Sequence, residues 1–331
     1  MKIVRTISML FFLLVLGVAA VAAVFELRGR QQQQKDTIMI MRGENVLQIA
    51  DDLKSEGYIK SKIVFLFYAA ISGNLKNLKA GEYDLKGLGY AGVIDKMARG
   101  DIVERRITIV PGWTVFDIFE YFKKEGLAVE GERKDLFSAR DLAGEFNFLS
   151  GIPEGADMEG YLFPDTYQVI NGATGRDVIR LALANFDSKI TSDLRQQMEK
   201  QGRTLFEVVV MASILEKEVT SLEDKKLVSG ILWKRLRAGM PLQADATLLY
   251  SKISEVAVFD KASESRYNTY KYSGLPVGPI CNPGLESIEA AFEPLDSDYW
   301  FYLSAPDGST IFSRTYDEHL VNKAKYLDTE K

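Results

Sequence analysis

TLFEVVVMASILEKEVTSLEDKKLVSGILWKRLRAGMPLQADATLLY, residues 204–250, is the stretch whose reading decides the fold. Thr204 and Glu207 form a capping-box pattern in front of an apolar run, which marks a helix start. From Leu205 to Leu215 almost every residue except Glu207 and Ser213 is apolar. A helix apolar on all sides belongs inside a core. It ends in Glu216-Lys217-Glu218, and at about 100° per residue the two carboxylates point to nearly opposite sides. They are therefore not a pair acting on one bond. Either carboxyl leaves an apolar helix at its C-terminal end, where partial desolvation and the negative end of the helix dipole both raise its pKa. An acid still protonated near neutral pH is what general acid catalysis needs. The plainer alternative, two surface glutamates at a fraying helix end, fits the same pattern.

Around this centre the pattern is mixed. Ser221 caps a further helix, Leu222–Arg237, with Gly239 placed to stop it; Arg235 and Arg237 read as surface charges. Thr174–Lys200 reads as one helix, and Glu130–Asn147 as a charged helical insertion. Tyr299–Leu303 reads as a buried strand with Ser309–Phe312 as its hairpin partner. In Met158–Val169, Tyr161, Phe163 and Tyr167 share a face if the segment is extended, either as core or as a sugar-stacking surface. Pro164 tells against an unbroken strand there, and Glu159 and Asp165 are second-tier site candidates.

A repeat precedes the insertion. IMIMRGENVLQIADDLKSEG (Ile38–Gly57) and ITIVPGWTVFDIFEYFKKEG (Ile107–Gly126) match at an offset of 69 residues. Each reads as a short alternating strand, a glycine turn and an amphipathic helix stopped by glycine. Leu78–Leu85 fits the closing strand of the first copy and Val93–Ile102 a helix after it. Strand, turn and helix at this spacing resemble half of a LysM fold, a βααβ module that often binds glycan. A stacking unit of the core is the equal alternative.

Composition narrows the chemistry. The chain has 331 residues, a formal net charge of −5, one Cys (Cys281) and one His (His319). The charge gives no reason to expect nucleic acid as a partner. A disulfide framework is impossible, and a zinc site built on His and Cys is disfavoured. Acid–base chemistry falls to carboxylates.

S-I-L-E-K-E, then a helix ending K-R-L-R-x-G-M, then L-Q-A-D-A-T resembles the YceG-like endolytic murein transglycosylase family. Met158–Val169 resembles that family's E-G-Y-L-F-P-D-T-Y stretch. Arg266–Tyr270 with Gly274–Gly284 resembles its Y-N-T-Y and G-L-P-P-G-P-I-x-N-P-G, with Val277 in place of a Pro. Ala246 stands where the family usually has Pro, and Thr310 where it often has His; Thr315–His319 matches its closing T-x-x-E-H. The resemblance implies lytic cleavage of peptidoglycan between N-acetylmuramic acid and N-acetylglucosamine, leaving 1,6-anhydromuramoyl ends. It implies Glu216 as the catalytic acid, with no cofactor and no metal. Gln243, Asp245, Thr247, Tyr267, Asn268 and Tyr270 follow as substrate contacts, with Glu218 on the other helix face; His319 reads as structural. A muramidase using Glu216 with Asp245 is the alternative within enzymes, and a non-catalytic glycan-binding regulator the alternative outside them.

Ile7–Phe25, an uncharged apolar run of 19 residues behind Lys2 and Arg5, just suffices for a membrane-spanning helix. Ala20, Ala22 and Ala23 also offer a cleavage site, so a signal peptide competes; the length of the run favours a retained anchor. The resemblance puts the N-terminus in the cytoplasm and the rest outside the inner membrane, beside wall synthesis, with a peptidoglycan synthase as a partner. The expected architecture is α+β: a cytoplasmic stub and anchor (1–30), a linker (31–36), a LysM-like module (37–106) and a mixed catalytic domain (107–331).

Overall fold

The computed structural model describes residues 36–129, 131–254 and 261–327. The expected anchor and all of the linker but Asp36 lie outside them. Among the described residues no helix is long and apolar enough to cross a membrane. The fold is α+β, mostly helical with small two-stranded sheets. One compact unit runs to Arg105 and includes Gln168–Asn171; the other holds Arg106–Tyr167 and resumes at Gly172.

In the first unit β1 (Ile38–Ile40), α1 (Val46–Ser55), α2 (Lys62–Ile71) and β2 (Gly81–Tyr83) follow in order, and α3 (Tyr90–Arg99) closes it. β1 and β2 pair antiparallel, with Ile38 opposite Tyr83 and Ile40 opposite Gly81. The alternation of β1 turns Ile38 and Ile40 inward, where they meet Ile49, Leu53, Phe65, Tyr83 and Met97 in one core. α3 ends at Arg99, three residues before the expected stop, because Gly100 takes the left-handed conformation (φ 74°) that terminates a helix.

The second unit begins along β3 (Glu104–Thr108) and continues into α4 (Val115–Lys124). Both copies of the repeat are built alike. Asn45 with Gln48, and Thr114 with Asp117, form capping boxes at the helix starts. Gly43 (φ 91°) and Gly112 (φ 82°) make the turns that a β-carbon would strain. The expected insertion helix is two single turns, α5 (Arg133–Leu136) and α6 (Ala139–Leu142), followed by a 3-10 turn at Asn147–Gly151. After β4 (Thr166–Ile170), the helix expected over 174–200 is two: α7 (Gly175–Lys189) and α8 (Ser192–Lys200). The break falls at buried Ile190, and the Thr191 hydroxyl accepts from Leu194 N–H to start α8 afresh.

α9 (Leu205–Glu218) is the axis of this unit; every residue from Val208 to Leu215 is buried. α10 (Leu222–Arg237), α11 (Asp245–Ser254) and α12 (Leu285–Phe292) follow, then β5 (Phe301–Ser304), β6 (Thr310–Ser313) and α13 (Tyr316–Tyr326). β5 and β6 form the antiparallel hairpin, Phe301 opposite Ser313.

Candidate active site

The end of α9 sets the site. Thr204 and Glu207 cap its start as the sequence requires: Glu207 N–H donates to Thr204 Oγ1 at 3.1 Å, and Thr204 N–H to Glu207 Oε2 at 2.8 Å. No glycine ends it; Val219 turns extended (φ −144°, ψ 152°). The last turn therefore presents Glu216 and Glu218 to different neighbours, as the 100° spacing requires.

Glu216 faces the start of α12. Its Oε2 accepts from Gly284 N–H at 3.1 Å and from the Ser287 hydroxyl at 2.5 Å. Lys225 Nζ lies 3.7 Å from the same oxygen, the two side chains being 7% and 12% exposed. An anion at a helix N-terminus, hydrogen-bonded and paired with a buried ammonium, is held in place by its surroundings. This carboxylate joins α9, α10 and α12.

Glu218 faces open space. Tyr302 O–H donates to its Oε2 at 3.4 Å and Ala246 N–H to its Oε1 at 3.5 Å, both long. Ser304 Oγ donates to its backbone carbonyl at 2.9 Å, which pins β5 to the helix end. Burial pushes the Glu218 pKa up to about 7; the Ala246 N–H pulls it down, the Asp245 charge pushes it up by less, and the Tyr302 hydroxyl pulls it down least.

Glu218 and Asp245 line two cavities at once. One, of about 570 Å³, also has Gln243, Tyr270, Tyr302 and Arg235 in its wall. The other, of about 790 Å³, has Thr114, Asp117, Leu249 and Ile280. Glu216 lines neither. Tyr270 O–H donates to Asp245 Oδ1 at 2.6 Å. Gln243 is the one non-glycine residue with positive φ (57°) among the described residues, and its Oε1 accepts from Arg235 Nη2 at 2.5 Å. Strain of this kind collects where the surroundings over-determine a conformation, functional sites included.

The other residues expected to contact substrate are committed elsewhere. Thr247, fully buried, donates to Ala244 O at 2.8 Å and shares a hydrogen bond with Thr269 Oγ1, so it holds the turn before α11. Asn268 is fully buried as well: its amide donates to the carbonyls of Lys261 and Ser263, and its Oδ1 accepts from Tyr270 N–H. It shapes the loop that carries Tyr270. Tyr267 packs edge-to-face on Tyr250 and lines a separate cavity of about 350 Å³.

Tyr161, Phe163 and Tyr167 are all buried, so they are core and not a stacking surface. Glu159 is a buried knot. Val115 N–H, Tyr250 O–H and the Asn282 amide donate to it, and burial holds its pKa well above the carboxylate range. Asn282 Oδ1 in turn accepts from Gly160 and Leu162 N–H, which fastens the proline-rich loop to the body.

Sequence reading missed Tyr302, Ser304 and Arg235 as parts of this site. Tyr302 lies in the strand expected at Tyr299–Leu303, but Phe301, Tyr302, Leu303 and Ser304 all line the cavity, so strand alternation gave no signal for it. Arg235 had no signal either; it is buried and not a surface charge. His319 lines the same cavity as Tyr302 and stacks on Phe301 at 5.4 Å. Among the described residues no group of His, Cys, Asp and Glu is arranged to hold a metal ion.

The YceG-like family model matches residues 38–325. The chain belongs to the YceG-like family. A Bacillus subtilis endolytic murein transglycosylase is 31% identical over 312 residues, 88% of this chain and 85% of that one. The enzyme of the same name from Streptococcus pneumoniae strain D39 is 29% identical over 89% of this chain, which spans 59% of it. The crystal structure of a YceG-like protein from Listeria monocytogenes superposes with a TM-score of 0.56 at 29% identity, covering 88% of this chain and all of the other.

Proposed function

We propose that this YceG-like protein is an endolytic lytic transglycosylase of peptidoglycan with Glu218, not Glu216, as its acid. The observation that carries this is the Glu218 carboxyl, which opens onto two cavities and has a pKa raised to about 7. Two cavities meeting at one acid suit a strand that continues on both sides of the bond cut. The Bacillus subtilis relative, 85% of whose length this chain covers, is named endolytic murein transglycosylase, which supports the substrate class.

In the proposed reaction, protonated Glu218 gives its proton to the glycosidic oxygen between N-acetylmuramic acid and N-acetylglucosamine. The C–O bond breaks, and the N-acetylglucosamine side leaves with a free hydroxyl. The Glu218 carboxylate then takes the proton of the muramoyl C6 hydroxyl as that oxygen closes on C1. The product is a 1,6-anhydro ring, and the acid is restored without water. Asp245, negative and steadied by Tyr270, sits where it keeps the Glu218 proton on and offsets positive charge at the anomeric carbon.

A second reading has one observation in its favour, the presence of Asp245 beside Glu218. Two carboxylates are the equipment of a hydrolase, retaining if about 5–5.5 Å apart and inverting if wider. Such an enzyme leaves reducing ends. Mass spectrometry of digested peptidoglycan separates the two by the loss of one water in anhydro products. Strand binding without any product would point instead to a regulator.

The setting proposed for this activity is the periplasmic face of the inner membrane. The apolar run 7–25 serves as a single-pass anchor with its N-terminus in the cytoplasm. The βααβ order of the first unit, with β1 and β2 antiparallel, supports a LysM-like module that holds glycan. Its proposed role is termination of nascent strands beside a synthase. Labelled strand fragments binding to residues 37–106 of the intact chain would test the module.

A further inference from the structure

Arg235 is a buried charge that the proposed reaction leaves unused. It sits in the last turn of α10 and is 5% exposed. Among the described residues it has one hydrogen bond, to Gln243 Oε1, and no carboxylate pairs with it. Its plane lies 5.4 Å from the Phe301 ring, and its Nε is buried with no partner. A guanidinium offers five donors in a planar fork that matches a carboxylate. Burying one with most donors idle is costly unless an acceptor arrives.

Two further cations line the same cavity of about 570 Å³, Lys261 and Lys323. They come from the loop before Tyr270 and from α13. Lys261 Nζ lies 4.2 Å over the Tyr270 ring, and neither ammonium is in an ion pair among the described residues. The carboxyls in this wall are Glu218 and Asp245, and Asp245 is bonded by Tyr270. His319 adds no charge of its own near neutral pH, because burial and the charges of Lys323 and Arg235 lower its pKa. The cavity therefore has an excess of positive groups away from its acid. The other cavity at Glu218 mixes Leu249, Ile253 and Ile280 with Lys217 and Lys252, and those two cations are matched in number by Asp117 and Asp245, so it has no excess of positive groups.

We propose that Arg235, Lys261 and Lys323 form an anion subsite that takes a carboxylate carried by the muramoyl residue of the strand. This rests on the reading of the cavity as a peptidoglycan site and gives it a direction, the muramoyl carboxylate on the Arg235 side and the rest of the strand towards the charge-balanced cavity. The carboxylate has two possible sources: the lactyl group where the stem peptide has been removed, or the stem peptide itself. The Arg235 fork binds it, and the two lysines, flexible and exposed, steer it there.

The test is binding to the full-length chain in detergent carrying Glu218→Gln, measured calorimetrically with three oligosaccharides of equal length. One is a muramoyl strand with stem peptides, one the same strand stripped to free lactyl groups, and one an N-acetylglucosamine oligomer without carboxylates. Carboxylate-bearing strands should bind at least about tenfold tighter than the neutral oligomer, and Lys261→Glu or Lys323→Glu should erase most of that margin. These two exposed substitutions keep the test alive if Arg235→Gln fails to fold. Preference for the peptide-bearing strand alone names the stem peptide as source; preference for the stripped strand names the lactyl group. Equal affinity for all three, or equal losses for all three in the lysine variants, overturns the subsite. Product analysis on the wild type decides the reaction separately. A chain that binds with this charge dependence and cuts nothing keeps the subsite and loses the lyase; one that cuts without preference does the reverse.

Discussion

Replacing Glu216 with Gln should unfold the protein more easily without removing its chemistry. The amide keeps an oxygen for Gly284 N–H and Ser287 O–H, so those bonds survive in part. What it loses is the charge facing Lys225, which is 7% exposed and has Glu216 as its carboxylate partner. Breaking one side of a buried pair costs about 3–5 kcal/mol, and the surviving hydrogen bonds argue for the lower end, about 3 kcal/mol. For a unit of this size that is a fall in Tm of roughly 6–12 °C. Circular dichroism melts beside glycan cleavage at 20 °C measure both consequences. Glu216→Gln with Lys225→Met should recover most of the loss, since an apolar pair of similar volume removes the stranded charge. An unchanged melt with abolished cleavage would refute this reasoning and return the acid to Glu216.

Four other outcomes follow from the same geometry. Because the acid must be protonated, kcat should fall as pH rises through about 7, read from a pH–rate profile. Tyr302→Phe removes a donor that favours the Glu218 carboxylate, so that alkaline limb should move to higher pH. The carboxyl of Glu218 is raised in the folded state, so its contribution to stability is full below about 4.5 and is lost as pH rises towards 7. Glu218→Gln should accordingly melt higher than wild type at pH 8, by as much as about 3 kcal/mol, with little difference at pH 4.5. Gly230→Ala should destabilise by at least about 2 kcal/mol although Ala is the better helix former, because its β-carbon would lie 1.9 Å from the Leu295 carbonyl oxygen; a urea melt reads the sign.

The parts of the fold written in short range were legible. The capping box at Thr204, the stop at Gly239 and the paired strand–turn–helix units are decided by neighbours within a few residues. The break at Ile190 was not, because Thr191 looks like an ordinary polar residue on a helix until its hydroxyl is seen capping α8. The site shows the same limit. Spacing along α9 states that Glu216 and Glu218 diverge, but not which one meets open space. That is settled by partners far along the chain: Ser287 and Gly284 close over Glu216, while Tyr302 and Ala246 leave Glu218 open. Resemblance of motifs carries residue types across and gives no view of which face a cavity occupies. Asn268 and Thr247 are further examples, polar residues whose hydrogen-bonding capacity is spent on the loops that aim Tyr270 and Asp245.

The central claim is that Glu218 cuts glycan by a lytic route, and mass spectrometry of peptidoglycan digested by wild type, Glu218→Gln and Glu216→Gln tests it most directly. The expected result is anhydromuramoyl ends from wild type and from folded Glu216→Gln, and none from Glu218→Gln. Anhydromuramoyl ends from Glu218→Gln, or reducing ends from wild type, would contradict it.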